Sequence, residues 1–341
     1  MLKVLYAGCP DAAAVTLKRL IENAASSHAG GATYEICGVL TNPPSAKGRK
    51  KDLIPTPVAL VAEENGIPVF TPEKLNGECR QQIEPLHADI LVCFAYGHIF
   101  GPKFLAMFRY GGINLHPSLL PKYRGCTPVN AAILNMDSET AFTIQTLAEG
   151  MDEGDILAQT VVQLDGSETA GSLLNDAAVC GAGHIIEVLS EIEKCGSLPA
   201  GRVQSGEPSY TKIIKREDGL IDWNLSCRRI EAMIRAYTPE PGCYTYIGGE
   251  SGETLRIIEA AYMEYESLFA GDSPAVISTS KEKYDSEQNG TVIEFNKKLG
   301  ILIKCSDGVL CVKQLQKQNK KVMPYKDFMN GVKDFIGSHL G

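Results

Sequence analysis

The chain has 341 residues, of which 44% are hydrophobic and 22% charged, with a formal net charge of −8. That balance excludes a disordered chain, a collagen and a small disulfide scaffold, and no stretch approaches the roughly 18–20 uninterrupted apolar residues of a membrane span. At about 150 residues per domain the length favours two domains. Taken in chain order, Lys3–Ala7 reads as a buried strand, and Asp11 can cap a helix over Ala12–Asn23. The opening apolar run is too short for a signal peptide and is ended by Cys9-Pro10-Asp11. Tyr34–Leu40 is a second strand, stopped by Thr41-Asn42-Pro43-Pro44. Pro57 suits the first turn of a helix through Glu64, closed by Asn65-Gly66. Asp89–Ala95 and Gly112–Leu115 follow as strands, Thr127–Leu134 as a helix, Thr140–Leu147 and Ile156–Leu164 as strands, and Thr169–Lys194 as a long amphipathic helix. This alternation predicts a Rossmann-like α/β domain with a mostly parallel sheet over residues 1–195.

Residues 196–208 are rich in Gly, Ser and Pro and read as a linker, leaving 209–341 as a second domain. After a helix over Cys227–Tyr237 come five short strands: Cys243–Ile247, Leu255–Ala261, Gly290–Phe295, Gly300–Lys304 and Val309–Leu315. Their spacing predicts a small β-barrel of the oligonucleotide-binding kind. Charge divides the same way. Residues 1–208 hold 15 Lys and Arg against 23 Asp and Glu, whereas 209–341 hold 18 of each. The acidity is thus a property of the first domain.

The eleven cysteines form no C-x-x-C pair, and no histidine stands at zinc-finger spacing. An odd number without a secretory signal reads as reduced thiols in a cytoplasm, with no structural metal. The first strand–helix turn, Ala7-Gly8-Cys9-Pro10-Asp11, lacks the glycines of a dinucleotide fingerprint, and no phosphate-binding loop is present. Nicotinamide redox chemistry and ATP hydrolysis therefore lose ground.

The informative stretch runs from Gly111 to Gly125. Asn114 and His116 stand two apart at a strand end, so both side chains can emerge on one side of the sheet, where ligands of such folds bind. Asp152, in Met151-Asp152-Glu153-Gly154-Asp155, offers a carboxylate from another loop. An amide to hold an oxyanion, an imidazole to move a proton and a carboxylate to orient it make an acyl-transfer set. Asp152 and Asp155 could instead be turn formers beside Gly154.

Asn114-x-His116-x-Ser118-Leu119-Leu120-Pro121, Arg124-Gly125 and Asp152-x-Gly154-Asp155 resemble the folate-dependent formyltransferases. The resemblance implies Asn114, His116 and Asp152 as the catalytic residues. It also implies a folate site edged by Ala95-Tyr96-Gly97 and Ser118-Leu119-Leu120-Pro121. The donor it implies is 10-formyltetrahydrofolate, a co-substrate, with no bound cofactor or metal.

Two further features resemble the members of that family that act on methionyl initiator tRNA. The cationic run Ser45-Ala46-Lys47-Gly48-Arg49-Lys50-Lys51 interrupts the acidic domain, and resemblance implies that Lys47, Arg49, Lys50 and Lys51 meet tRNA. The segments Ile221-Asp222-Trp223, Ile234-Arg235-Ala236-Tyr237-x-Pro239-x-Pro241 and Asp327-Phe328-Met329-Asn330-Gly331 resemble those members' C-terminal domain. Eight lysines between 297 and 326, against the single acid Asp307, read as a phosphate-facing strip. The chain departs from the family's usual Gly-Thr-Pro-Asp-Phe in having Cys9 and Ala12. The expectation is a cytoplasmic, monomeric enzyme with tRNA, rather than DNA or a membrane, as partner. A formyltransferase for a sugar nucleotide or ribonucleotide, and a non-catalytic folate- or RNA-binding protein, are the alternatives.

Overall fold

The computed structural model describes residues 1–26, 34–47, 52–249, 252–268, 284–332 and 334–341. The chain forms two compact units. The first comprises Met1–Ala132, Ser138–Leu164 and Ser172–Lys212; the second comprises Ile133–Asp137, Asp165–Gly171 and Ile213–Gly341.

Nine strands belong to the first unit: β1 (Leu2–Gly8), β2 (Tyr34–Leu40), β3 (Ser45–Lys47), β4 (Asp52–Ile54), β5 (Val69–Phe70), β6 (Ile90–Phe94), β7 (Gly112–His116), β8 (Glu139–Thr146) and β9 (Ile156–Gln163). The helices that alternate with them in sequence are α1 (Asp11–Ser26), α2 (Pro57–Glu64), α3 (Gly77–Ile83), α4 (Pro102–Leu105), α5 (Pro128–Leu134) and α6 (Ala170–Cys195). Seven strands make one sheet in the order β5-β2-β1-β6-β7-β8-β9. The first five are parallel, and β8 and β9 are antiparallel additions. The Rossmann-like parallel sheet expected from the alternation is therefore present.

Both faces of the central strands are covered, which is why β1 and β6 are nearly continuous apolar runs rather than alternating ones. Val4, Leu5, Tyr6 and Ala7 are fully buried, as are Ile90, Leu91 and Val92. After β6 an aromatic ladder at intervals of four residues, Tyr96-Phe100-Phe104-Phe108, stacks with ring centroids 5.6, 5.4 and 5.7 Å apart. At the end of β1, a Cβ on Gly8 would lie 2.7 Å from Ala13 Cβ and 2.8 Å from Phe94 O. Only glycine lets strand and helix close so tightly there.

Short elements escaped the periodicity. The β3–β4 pair, β5, α3 and α4 span two to seven residues each, too few to show a repeat. In α3 only Cys79 and Ile83 are buried, and its start is set by Asn76 Oδ1 accepting from Cys79 N at 3.0 Å.

The second unit holds β10 (Cys243–Ile247), β11 (Glu253–Glu264), β12 (Val292–Asn296), β13 (Gly300–Lys304), β14 (Gly308–Lys317) and β15 (Met323–Pro324), with α7 (Cys227–Ala236), α8 (Tyr265–Leu268) and α9 (Tyr325–Gly331). These strands form one antiparallel sheet in the order β10-β11-β14-β13-β12, with β15 on β14. Residues 338–341 join the two ends of that path. Gly341 N donates to Tyr246 O at 3.0 Å, Leu340 N to Gly290 O at 3.0 Å, and Val292 N to Ser338 O at 2.9 Å.

The lysine strip needs one correction. Lys304 is buried: its Nζ donates to Cys305 O at 2.7 Å and Asn289 Oδ1 at 3.2 Å, and sits over the Tyr265 ring. All five residues of β13 are buried, so Lys304 offers nothing to a phosphate. Lys317 is paired with Glu253 at 3.2 Å, while Lys297, Lys298, Lys320, Lys321 and Lys326 are exposed.

Candidate active site

β7 ends where the parallel part of the sheet meets its antiparallel part, and Asn114 and His116 lie there on one face. The antiparallel register of β8 sets Gln145 opposite Asn114 and Thr143 opposite His116. Asp152 arrives from the turn between β8 and β9, in a left-handed conformation with φ 55°. That turn is tied at its base by Thr146 N donating to Asp155 O at 2.9 Å and Asp155 N donating to Thr146 Oγ1 at 2.9 Å. Gly154 is required by space: a Cβ there would lie 1.7 Å from Thr146 O.

The three residues singled out by the sequence come together around the Asp152 carboxylate. Oδ1 accepts from Gln145 Nε2 at 2.8 Å and from Asn114 Nδ2 at 3.5 Å, and lies 3.6 Å from His116 Nδ1. Oδ2 accepts from the Gly125 amide at 2.8 Å. The His116 and Asp152 side chains are 5% and 15% exposed, so little water competes for these contacts.

The imidazole is oriented from its other side. His116 Nε2 lies 2.9 Å from Tyr123 O, and a carbonyl only accepts, so Nε2 carries a proton. Tyr123 is itself left-handed, with φ 58°, and its amide donates to Ser209 Oγ at 2.8 Å. A second proton, on Nδ1, would face Asp152.

Sequence reasoning missed two glutamines and the segment carrying one of them. The stretch 196–208, read from composition as a linker, belongs to the first unit, and the division between units falls after Lys212. Ile156 and Arg202 exchange two backbone hydrogen bonds of 2.8 Å. Arg124 N donates to Ser209 O at 2.8 Å, and Thr211 N to Arg124 O at 2.7 Å. Gln204 Nε2 donates to Asp152 O and Gly154 O, both at 2.8 Å. Composition cannot separate a strap held by backbone pairing from a free connection, because these backbone partners are 46 to 87 residues away. Gln145 did have a signal: it alternates with apolar residues on the strand expected over 140–147.

The residues expected at the folate site have mixed placements. Ala95 and Gly97 are exposed with φ of 51° and 85°, whereas the Tyr96 ring is buried and stacks on Phe100. What that segment offers a ligand is therefore backbone. Ser118 is buried, its Oγ donating to Lys122 O at 2.6 Å, and Leu120 and Pro121 are buried too, leaving Leu119 half-buried at the surface. Cys9, at the same end of the sheet, joins three loops. Its thiol donates to Tyr96 O and accepts from Thr41 Oγ1 and Asn42 N at 3.4–3.5 Å, and burial raises its pKa. Ala12 is buried in the first turn of α1. In the cationic run, Lys47 stands opposite Asp52 in the backbone register of β3 and β4, while Arg49, Lys50 and Lys51 lie outside the described residues.

Among the described residues no group of three or more His, Cys, Asp or Glu side chains is placed to hold a metal ion, and no helix is long and apolar enough to cross a membrane. Residues 11–189 match the formyl transferase family, and residues 213–333 match the formyl transferase C-terminal domain. The chain is 41% identical over 344 residues to a methionyl-tRNA formyltransferase of Treponema denticola, covering 98% of each. It is 33% identical over 341 residues to a methionyl-tRNA formyltransferase of Geobacter metallireducens, covering 100% of this chain and 99% of that one. A solved N-formyltransferase of Helicobacter canadensis, bound to folinic acid and dTDP-3-aminofucose, aligns with a TM-score of 0.58 over 93% of this chain and 100% of its own. At 19% identity that likeness is one of fold.

Proposed function

This chain belongs to the formyl transferase family, and on that footing we propose that it moves the formyl group of 10-formyltetrahydrofolate to the α-amino group of methionyl initiator tRNA. The observation that carries the chemistry is the convergence of Asn114 and His116 on the Asp152 carboxylate at the end of β7. The donor is a co-substrate, consumed at each turnover.

In the reaction the neutral amine attacks the formyl carbon. The new N–C bond forms as the carbonyl oxygen takes negative charge, and the bond from carbon to the folate nitrogen then breaks. One amine proton ends on the folate nitrogen. Asn114 Nδ2 has a second hydrogen to offer the oxyanion, and the His116 Nδ1 edge, held 3.6 Å from Asp152, is where a proton can pass. The 3.5–3.6 Å spacings fit a site that tightens when substrate arrives.

The tRNA, rather than a small amine, is favoured by the second unit and by full-length similarity to methionyl-tRNA formyltransferases. Lys47, Arg49, Lys50 and Lys51 supply the basic cluster for the acceptor end, and the exposed lysines of the second unit further cationic contacts for the phosphates. Ala95, Gly97 and Leu119 edge the folate site, with Tyr96, Ser118, Leu120 and Pro121 shaping it from beneath. The enzyme acts as a monomer in the cytoplasm.

The test offers labelled 10-formyltetrahydrofolate with methionyl-tRNA, glycinamide ribonucleotide or a 4-amino sugar nucleotide. Label is expected in the tRNA alone; transfer to a small amine and not to tRNA would reject the assignment. Arg49→Ala should weaken tRNA use far more than folate binding.

A further inference from the structure

Gln204 occupies a position that the catalytic reading leaves unexplained. It is half-buried, and every polar atom of its side chain is engaged. Nε2 faces three oxygens: Asp152 O and Gly154 O at 2.8 Å, and Gln145 Oε1 at 3.2 Å. Oε1 accepts from Arg124 Nε at 3.1 Å and Nη2 at 2.8 Å. A guanidinium only donates and these carbonyls only accept, so the amide has one workable orientation. The same guanidinium is held by Glu153 Oε1 at 3.0 Å and Tyr210 Oη at 2.9 Å.

These contacts bear on Asp152 in two ways. Two carbonyls of its own left-handed turn are gripped by one amide, which fixes where the backbone presents the carboxylate. Gln145, the nearest side-chain donor to Oδ1, has its oxygen engaged by Gln204, so its NH2 must point at Asp152. The strap is pressed close at this point: a Cβ on Gly201 would stand 2.5 Å from Asp155 Cβ.

We propose that Gln204, held by Arg124, is a positioning residue for formyl transfer, setting the Asp152 carboxylate against His116 through the 152–154 backbone and through Gln145. The inference rests on the catalytic reading of Asp152 given above. The polar atoms of Gln204 are taken up by Arg124, Gln145 and the 152–154 backbone, so its removal is expected to act on turnover rather than on substrate binding.

The experiment compares wild type, Q204M, D152A and the double variant in single-turnover formylation of methionyl-tRNA, with KM measured for both substrates. Methionine keeps the length of the side chain and removes its donors and acceptor. Q204M is expected to lower kcat about 10- to 100-fold, the loss typical of a misplaced catalytic group, with KM for methionyl-tRNA changed by less than about twofold. In the D152A background the same substitution should change the rate by less than about twofold, because the group it positions is gone. A structural role alone would cost the same factor in both backgrounds, and that result, or a Q204M enzyme with normal kcat, would overturn the proposal. Should Q204M not fold, Q204E replaces it: it keeps the acceptor for Arg124, loses the donors and is expected to show the same pattern. Normal turnover in D152A would instead remove the catalytic reading itself, an outcome separate from loss in D152A with none in Q204M.

Discussion

Gln145 Nε2 reaches Asp152 Oδ1 at 2.8 Å, closer than His116 Nδ1 at 3.6 Å. The carboxylate is thus anchored by the sheet before it meets the imidazole, and the imidazole is anchored by Tyr123 O. Because each partner has its own support, removing one should spare the fold and cost the chemistry. His116→Ala and Asp152→Ala are expected to lower turnover by about 10²–10³, the usual loss of an oxyanion partner or its support. Rapid-quench formylation beside circular dichroism checks this; a folded variant with near-normal turnover would unseat the assignment.

Gly154 tests the turn that carries Asp152. An added Cβ would meet Thr146 O and C, backbone atoms of β8 that have no room to withdraw. Gly154→Ala should therefore cost about 1–3 kcal/mol of stability, the range seen for overpacked sites, and reduce turnover as well. Urea unfolding with kinetics at one temperature reads both; an unchanged midpoint would mean that the turn is looser than its geometry.

Leu340 tests how the second unit is closed. The side chain is fully buried, and its amide joins Gly290 on one edge of the sheet while Gly341 reaches Tyr246 on the other. Leu340→Ala should cost about 2–5 kcal/mol, as large-to-small changes in cores do. The loss would appear as a lowered unfolding midpoint of the second unit by near-UV signal from Trp223, the chain's single tryptophan.

Burial pushes the thiols of Cys93, Cys227 and Cys243 up to about 12 from an ordinary 9.0. Each holds its proton more tightly folded than unfolded. Their contribution is therefore complete below about pH 9 and is lost as pH rises toward 12. The melting temperature should fall steeply above pH 9, and iodoacetamide at pH 8 should modify exposed Cys126 and Cys195 well before these three. A flat melting temperature between pH 9 and 11 would contradict this.

The long elements were legible because each buries enough of one face to leave a period: the sheet strands other than β3, β4, β5 and β15, with α6 and α7, stand within a few residues of their expected bounds. Asn114, His116 and Asp152 were legible as residue types at a strand end and a turn. Gln204 was not, and Gln145 showed only as a polar residue on an expected strand, because a neutral amide in a sequence gives no sign of what it will hold. Lys304 shows the reverse error: a charge counted into a surface strip sits under Tyr265. The 196–212 strap was hidden for a third reason, since the glycines and serines that suggest slack also permit close approach.

That strap separates two events in the making of the protein. All seven strands of the first sheet are encoded by Gln163, and Gln204 follows 41 residues later in the chain. A chain released at residue 195 thus contains every strand of that sheet while the turn carrying Asp152 lacks its clamp. The strands that build the sheet and the residue that clamps its active-site turn are thus separate stretches of chain, divided by α6 and the start of the strap.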